Sequence, residues 1–279
     1  MAPPPPAYGA PAAPATPAPG SEATRPAQLA IDRPCPTCGA MVPAGNRFCG
    51  SCGGRLEDIA PAAPAPAPVQ RPAGRMVLIR PDGSEGGSFP LQHGKNVIGR
   101  EADPLFENDY YLSPQHLEVQ IQDGLIKLTD LGSLNGVFFK IHEERAISDG
   151  QVFRIGQELL RYDEIAPPQP LPDGTEIMGS PNPGYWGRVV IVAGDGVDGN
   201  GYLLKEESVL IGRENGEIRF PEDGYVSGSH LRISFKGSSA VLLDLNSSNG
   251  TFVRISGEET VPPGTFVLVG QQLFRVEVG

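Results

Sequence analysis

The four cysteines of this 279-residue chain have a spacing that indicates their chemistry directly. Cys35 and Cys38 form one Cys-x-x-Cys pair, Cys49 and Cys52 form a second, and a glycine follows each pair. Two such pairs suit one tetrahedral Zn²⁺ ion, because four thiolates close the coordination shell and make the site structural. Two disulfides would need an oxidising compartment, and a thioredoxin-like redox role would need a surrounding βαβ pattern instead of proline-rich segments.

The cysteine-containing segment 31–58 resembles the short zinc ribbons found at the ends of many bacterial proteins. Its three arginines are balanced by three acidic residues: Arg33, Arg47 and Arg55 against Asp32, Glu57 and Asp58. That balance lacks the basic footprint of a nucleic-acid binder. A protein contact or a spacer role is therefore favoured for this segment.

A second set of polar residues occurs twice in the same order. The first copy comprises Arg100, Ser113, His116 and Asn135, and the second comprises Arg213, Ser227, His230 and Asn249. The offsets agree, since 230 − 116 = 114 and 249 − 135 = 114, whereas 213 − 100 = 113 implies one residue gained or lost between Arg and Ser. Polar residues repeated at one offset indicate a site on a scaffold that occurs twice.

The scaffold itself is predicted from short apolar segments that begin near Gly74. Many alternate between apolar and polar residues, Asp-Gly and similar pairs separate them, and no helical period is present. This pattern predicts an all-β fold of two tandem β-sandwiches. Each repeat has about ninety residues, enough for an independent core.

The order Gly-Arg, Ser-x-x-His and Asn-Gly within a small β-sandwich resembles the forkhead-associated (FHA) domain. The resemblance covers residues 74–166 and 185–279. FHA domains recognise phosphothreonine in partner proteins through loops at one end of the sandwich. Two phosphothreonine-binding modules are therefore implied.

The resemblance also implies a role for each repeated residue. A phosphothreonine carries nearly two negative charges and three acceptor oxygens, which suit the planar donor fork of arginine. The phosphate would be held by Arg100 and Arg213, with hydroxyl donors from Ser113, Ser227 and Ser248. The ligand backbone would be fixed by Asn135 and Asn249, while His116 and His230 would brace the loops.

Single residues of the set have ordinary explanations. An arginine can end a strand, Asn-Gly is a common hairpin turn, and a serine can bond its own backbone. Their joint recurrence favours a binding site. The first copy departs from the family pattern at Pro114, Leu134 and Val137, so a structural role or another ligand stays open for it.

Composition sets the predicted boundaries. With 30 Pro and 36 Gly, the chain has Pro/Ala-rich stretches that cannot build a core. We predict a disordered segment 1–30, a zinc ribbon 31–58, a linker 59–74, an FHA-like domain 75–166, a linker 167–184 and a second FHA-like domain 185–279.

The net charge of −11 disfavours unspecific binding to nucleic acid or to anionic membranes. No apolar run is long enough to cross a membrane, and the N-terminus lacks the features of a signal peptide. A cytoplasmic location is therefore expected.

These observations predict a non-enzymatic adaptor that binds threonine-phosphorylated proteins, and we expect those proteins to be substrates of a Ser/Thr protein kinase. The alternatives are a phosphate-independent scaffold and recruitment to nucleic acid or a protein complex through the zinc ribbon. An enzyme is disfavoured because no nucleophile–base pair or Gly-rich nucleotide loop is recognisable. Thr16, Thr24 and Thr175 lie in predicted spacers, so a phosphorylated segment of the chain itself is a further hypothetical ligand.

Overall fold

The computed structural model describes residues 33–43, 46–56 and 72–279. The described residues belong to two compact units, divided between Val69 and Gln70. In the first unit, strand β1 (Arg33–Pro34) pairs antiparallel with β2 (Met41–Val42), and Phe48 forms a bridge with Arg55. Its small core contains Cys35, Val42, Cys49 and Leu56.

The second unit contains both sequence repeats. The first repeat forms β3 (Gly74–Ile79), β4 (Glu85–Leu91), β5 (Gly94–Ile98), β6 (Leu117–Gln122), β7 (Leu125–Asp130), β8 (Val137–Lys140), β9 (Arg145–Ile147), β10 (Val152–Ile155) and β11 (Glu158–Glu164). The second forms β12 (Gly187–Val192), β13 (Asp198–Leu204), β14 (Ser208–Gly212), β15 (Ile218–Arg219), β16 (Leu231–Lys236), β17 (Ser239–Asp244), β18 (Thr251–Arg254), β19 (Glu258–Val261), β20 (Phe266–Val269) and β21 (Gln272–Val278). The only helical element in the described residues is a three-residue 3₁₀ turn, Gly194–Gly196.

The strands form where apolar and polar residues alternate and where the residues between them favour a tight turn. Leu117 and Val119 of β6 are fully buried while Glu118 between them is not. Asp123 and Gly124 both have positive φ, 53° and 76°, as a two-residue hairpin requires, and they join β6 to β7. The predicted all-β sandwich fold is confirmed.

Three sheets make up the second unit. A ten-stranded sheet has the order β13-β12-β11-β10-β18-β8-β20-β21-β3-β4. A five-stranded sheet has the order β15-β14-β16-β17-β9, and a four-stranded sheet has the order β19-β7-β6-β5. The ten-stranded sheet thus runs through both repeats without a break.

The sheet order shows that the repeats exchange their last three strands. Strands β9, β10 and β11 of the first repeat pair with β17, β18 and β12 of the second. In return, β19, β20 and β21 of the second repeat pair with β7, β8 and β3 of the first. Each sandwich is therefore built from both repeats, which differs from the expectation of one independent core per repeat.

Contacts between equivalent strands join the two repeats at the place where the chain passes from one sandwich to the other. Strands β8 and β18 pair antiparallel at the middle of the ten-stranded sheet. Beyond them, Arg145 of β9 forms a two-pronged ion pair with Glu259 of β19, with N–O distances of 3.2 and 2.6 Å. Arg145 also lies over the ring of Phe139, 5.1 Å from its centroid. One continuous hydrophobic core includes residues from both sandwiches, such as Phe153 and Phe274.

The segment between β11 and β12 carries no strand and is largely exposed, with Met178 at 98% exposure. It coincides with the predicted linker 167–184. No helix in the described ranges is long and apolar enough to cross a membrane.

Cleaving the chain within this segment should not separate the repeats. We expect a protease site inserted after Met178 to give two fragments that stay associated one to one, because six exchanged strands hold them together. Native mass spectrometry and gel filtration after cleavage measure this. Fragments that elute as two folded monomers would show that each repeat closes on itself.

Candidate functional site

The repeated arginine and serine are brought together by backbone hydrogen bonds at the end of a strand. In the second repeat, β14 ends at Gly212 and the amide of Arg213 donates to the carbonyl of Ser227 at 2.9 Å. In the first repeat, the amide of Arg100 donates to the carbonyl of Ser113 at 3.1 Å. The Gly before each arginine permits this approach, since a Cβ on Gly212 would collide with a backbone carbonyl.

The asparagine loop is joined to the serine loop in the same way in both copies. The Ser227 hydroxyl accepts from the Ser248 amide at 3.0 Å, and the Asn249 side-chain amide donates to the Tyr225 carbonyl at 2.8 Å. This network places Ser248 and Asn249 beside Ser227, and so close to Arg213. Since the Ser227 oxygen accepts from the protein, its hydroxyl hydrogen is available to a ligand.

The first repeat has the same network with one side chain changed. The Ser113 hydroxyl accepts from the Leu134 amide at 3.2 Å, and the Asn135 side chain donates to the Tyr111 carbonyl at 2.7 Å. Leu134 is 85% exposed and offers no hydroxyl where the second repeat has Ser248.

His116 and His230 are completely buried beneath these loops. In each, Nδ1 accepts from the amide of the preceding serine, Ser113 or Ser227, at 3.0 Å, and Nε2 donates to the carbonyl of Gly136 or Gly250. One acceptor and one donor describe a neutral imidazole. Burial lowers the pKa of His230, which agrees with that state.

A partly buried carboxylate beside the Asn-Gly turn supports the second repeat more strongly than the first. Asp244 accepts from the hydroxyls of Ser247 and Thr251 at 2.7 and 2.6 Å. Burial opposes ionisation of Asp244, but these hydrogen bonds hold its pKa below the ordinary value. Val137 replaces the threonine in the first repeat, so Asp130 there lacks this partner and accepts from the Ser133 amide.

In each repeat, one further aspartate connects the loop before the site serine to the other repeat. Asp223 accepts from the Tyr225 amide at 2.8 Å and from the Gln157 amide at 2.6 Å. In the first repeat, Asp109 makes the equivalent bonds to the amides of Tyr111 and Gln271, both at 2.9 Å. Gln157 and Gln271 lie on the exchanged hairpins, so each loop is supported by the opposite repeat.

Sequence reasoning missed these aspartates and tyrosines, although a signal was present. They recur at the repeat offset, since 223 − 109 = 114 and 225 − 111 = 114. The glycines before the supporting glutamines recur likewise at 156 and 270, with φ of 54° and 61°. A Cβ on either would lie 2.5 Å from the aspartate oxygen that it faces.

The two arginines differ in their electrostatic environment. The Arg213 guanidinium donates to the Glu214 carboxylate at 2.9 and 3.1 Å, and both side chains are partly exposed. Arg100 makes no side-chain hydrogen bond or ion pair with other described residues. An anion at the second site would therefore displace Glu214.

The four cysteines form the second candidate site. Their sulfur atoms all lie within 4.8 Å of one another. Cys35 and Cys52 are 3.7 Å apart, as are Cys38 and Cys49, so the thiols are close but not bonded as disulfides. This arrangement can hold a metal ion.

Backbone amides in the two cysteine turns face the sulfurs. The amide of Thr37 lowers the pKa of Cys35 to about 6, and that of Ser51 lowers the pKa of Cys49. The amide of Ala40 acts in the same direction on Cys38, but the neighbouring thiols and burial raise its pKa to about 12. A bound cation would replace these sulfur–sulfur contacts and favour four thiolates.

Of the predicted spacer threonines, Thr16 and Thr24 lie outside the described residues. Thr175 is exposed in a turn in which its amide donates to Asp173 at 2.9 Å.

Comparison with known proteins places both repeats in one family. The model of the FHA domain matches residues 96–156 and 209–270. FhaB of Mycobacterium tuberculosis is 32% identical over 98 residues, which are 34% of this chain and 63% of FhaB. The chain thus spans just under two thirds of this relative.

Two further matches concern a shorter relative and a solved structure. The oxoglutarate dehydrogenase inhibitor of Corynebacterium efficiens is 30% identical over 109 residues, 37% of this chain and 74% of that protein. A structure from a study of phosphothreonine-dependent FHA domain interactions is 36% identical, with a TM-score of 0.19, and covers 31% of this chain and 88% of that one. From the family match and the identity to the Corynebacterium relative, the chain belongs to the FHA-domain family.

Proposed function

We propose that this protein is a non-enzymatic adaptor that binds threonine-phosphorylated segments of other proteins. The observation that carries the proposal is the repeated network that holds an arginine, a serine and an asparagine together at one edge of each sandwich. The study of phosphothreonine-dependent interactions of a related FHA domain supports it.

The chemistry of the second site suits a phosphothreonine. The Arg213 fork would engage two phosphate oxygens, and the Ser227 and Ser248 hydroxyls would donate to the remaining acceptor positions. Asn249 already donates to the Tyr225 carbonyl, which leaves its side-chain oxygen to accept from a ligand amide. A ligand backbone held in this way has a defined direction.

The first site would bind with fewer donors. Arg100, Ser113 and Asn135 are present, but Leu134 adds none. Arg100 has no competing acid among its described contacts, in contrast to Arg213. Both sites are therefore proposed to bind phosphate, the second through the larger set of contacts and against the competing carboxylate of Glu214.

The proposed partners are proteins phosphorylated on threonine by a Ser/Thr kinase. One phosphate and a few side chains should give a dissociation constant of about micromolar order. The relative named as an inhibitor of oxoglutarate dehydrogenase is consistent with a role exerted through binding rather than catalysis. Free thiols in the cysteine cluster are consistent with a cytoplasmic location.

We also propose that Cys35, Cys38, Cys49 and Cys52 hold one structural Zn²⁺. Sulfurs at the corners of a tetrahedron with Zn–S bonds of about 2.3 Å lie about 3.8 Å apart. The two 3.7 Å separations agree with that geometry. Since the ion would have four protein ligands, it would stabilise the small first unit and leave no position for a substrate.

Replacing each arginine should weaken phosphopeptide binding at its own site. We expect Arg213→Ala to weaken binding of a phosphothreonine peptide at the second site at least tenfold, about 1.4 kcal/mol, because it removes a charge-assisted contact. Arg100→Ala should do the same at the first site. Calorimetric titration of the double variant should then show affinity reduced at least tenfold at both sites.

Arg232→Ala is the matched control, since this arginine is exposed on β16 of the same repeat. It should bind the peptide as the unaltered chain does. Full binding by the double arginine variant, or equal binding of the unphosphorylated peptide, would contradict the proposed function.

The metal can be tested separately. We expect the purified chain to contain one equivalent of zinc, and Cys38→Ser to lose it, because three thiolates and a hydroxyl bind zinc much more weakly than four thiolates. Elemental analysis measures the zinc content, and a colorimetric chelator that does not react with thiols provides a second measurement. Ser51→Ala, between Cys49 and Cys52, should retain it. A zinc-free native protein, or two disulfides by mass spectrometry, would refute the site.

A further inference from the structure

The two recognition sites are related by a two-fold axis inside a single chain. Strands β8 and β18 pair antiparallel with Phe139 opposite Val253. These residues are equivalent, because 253 − 139 = 114 is the repeat offset. An antiparallel pair centred on equivalent residues has a two-fold axis perpendicular to the sheet. The ten-stranded order obeys it, since equivalent strands lie at equal distances from the centre.

The outer face of this sheet carries two equivalent depressions. One, of about 360 Å³, is lined by Tyr225, Asn249 and Phe252, and the other, of about 410 Å³, by Tyr111, Asn135 and Phe138. Arg154 and Leu268 line both. The depressions therefore join, and we call this surface, which runs from Asn135 past Arg154 and Leu268 to Asn249, the trough.

Two cations without acidic partners lie beside the Asn-Gly turns at the ends of the trough. Lys140 lies against Gly250 of the second Asn-Gly turn, and Arg254 lies against Gly136 of the first, so each turn faces a cation from the other repeat. Neither forms an ion pair with a described residue. Lys140 lies 5.6 Å from the ring centroid of Phe266. In a chain of net charge −11, this face suits an anionic partner.

Arg154 adds a third cation near the centre of the trough. Its Nε donates to the carbonyl of Gly156 at 2.9 Å. The carboxylate of Asp223 attracts the guanidinium electrostatically. Asp223 is itself engaged by the amides of Tyr225 and Gln157. The guanidinium therefore keeps donors for a ligand.

The two-fold axis determines the relative direction and the spacing of two segments bound at the two sites. Ligands that run parallel to the sheet at the two sites point in opposite directions, because a two-fold rotation about an axis perpendicular to the sheet reverses every direction in its plane. Asn135 and Asn249 each lie four residues from the central pair, on opposite sides of it, so at about 3.3 Å per residue their separation along the strands is at most roughly 26 Å. A single extended segment has one direction and fits only one site.

We propose that the two sites and the trough form one docking surface for a homodimeric partner that presents one phosphothreonine segment from each subunit. This inference rests on the proposed function and adds the symmetry of the partner. Isologous contacts of a two-fold dimer would match the symmetry of the trough, and the unpaired cations would face the acidic flanks of both segments. Simultaneous engagement would raise the avidity without any further contact.

The test uses the full chain and one phosphothreonine peptide selected from a degenerate library. The peptide is prepared singly, joined through its N-termini, joined through its C-termini, and joined head to tail, with equal flexible linkers longer than 26 Å. We expect one symmetric form to bind at least tenfold more tightly than the single peptide, at one bivalent ligand per chain. Fluorescence anisotropy and calorimetry measure affinity and stoichiometry.

Variants assign the gain to the trough. Arg100→Ala should return the symmetric form to the affinity of the single peptide, and Lys140→Ala with Arg254→Ala should reduce the gain. Lys95→Ala, which removes an exposed lysine paired with Glu118, is the control and should leave the gain unchanged.

Three outcomes would overturn the inference. An equal or larger gain for the head-to-tail form would indicate a doubly phosphorylated single chain. No gain for any bivalent form, with normal binding of the single peptide, would show that the sites act separately and leave the proposed function intact. Failure of the single peptide to bind would refute the proposed function as well.

Discussion

The pairing of β8 with β18 is the constraint on which the rest of the second unit depends. The amide of Ile141 donates to the Thr251 carbonyl at 3.0 Å, and that of Ile255 donates to the Val137 carbonyl at 2.8 Å, so the pairing continues past both strand ends. The segments that follow β8 and β18 therefore continue into the sandwich of the other repeat. The exchange of three strands in each direction follows, and the two sandwiches form one compact unit.

This exchange makes each recognition site a product of both repeats. The arginine, serine and asparagine come from one copy, whereas the hairpin that supports the aspartate below them comes from the other. The support is rigid, because Asp109 and Asp223 are buried and each accepts from two amides. The two sites therefore have a fixed orientation relative to each other on one scaffold, which two domains on a flexible linker would not have.

Much of the fold and the site could be predicted from the sequence. The 114-residue offset relates the repeated strands, and the order of Arg, Ser and Asn indicated which loops would meet. The exchange could not be predicted, because equivalent strands such as β10 and β20 have the same alternation and either could complete either sandwich. The supporting aspartates were also missed: they recur at the repeat offset, but the sequence does not indicate which hairpin each of them contacts.

The most direct test of the exchange is hydrogen–deuterium exchange of Gly156→Ala, a change in the first repeat. Its Cβ would press on Asp223 and Val226 of the second repeat, at a residue whose φ of 54° already disfavours alanine. We expect faster exchange in residues 222–228 and unchanged exchange in residues 108–114, with the reverse pattern for Gly270→Ala. Faster exchange in residues 108–114 of Gly156→Ala would mean that each hairpin supports its own repeat, and would contradict the strand exchange.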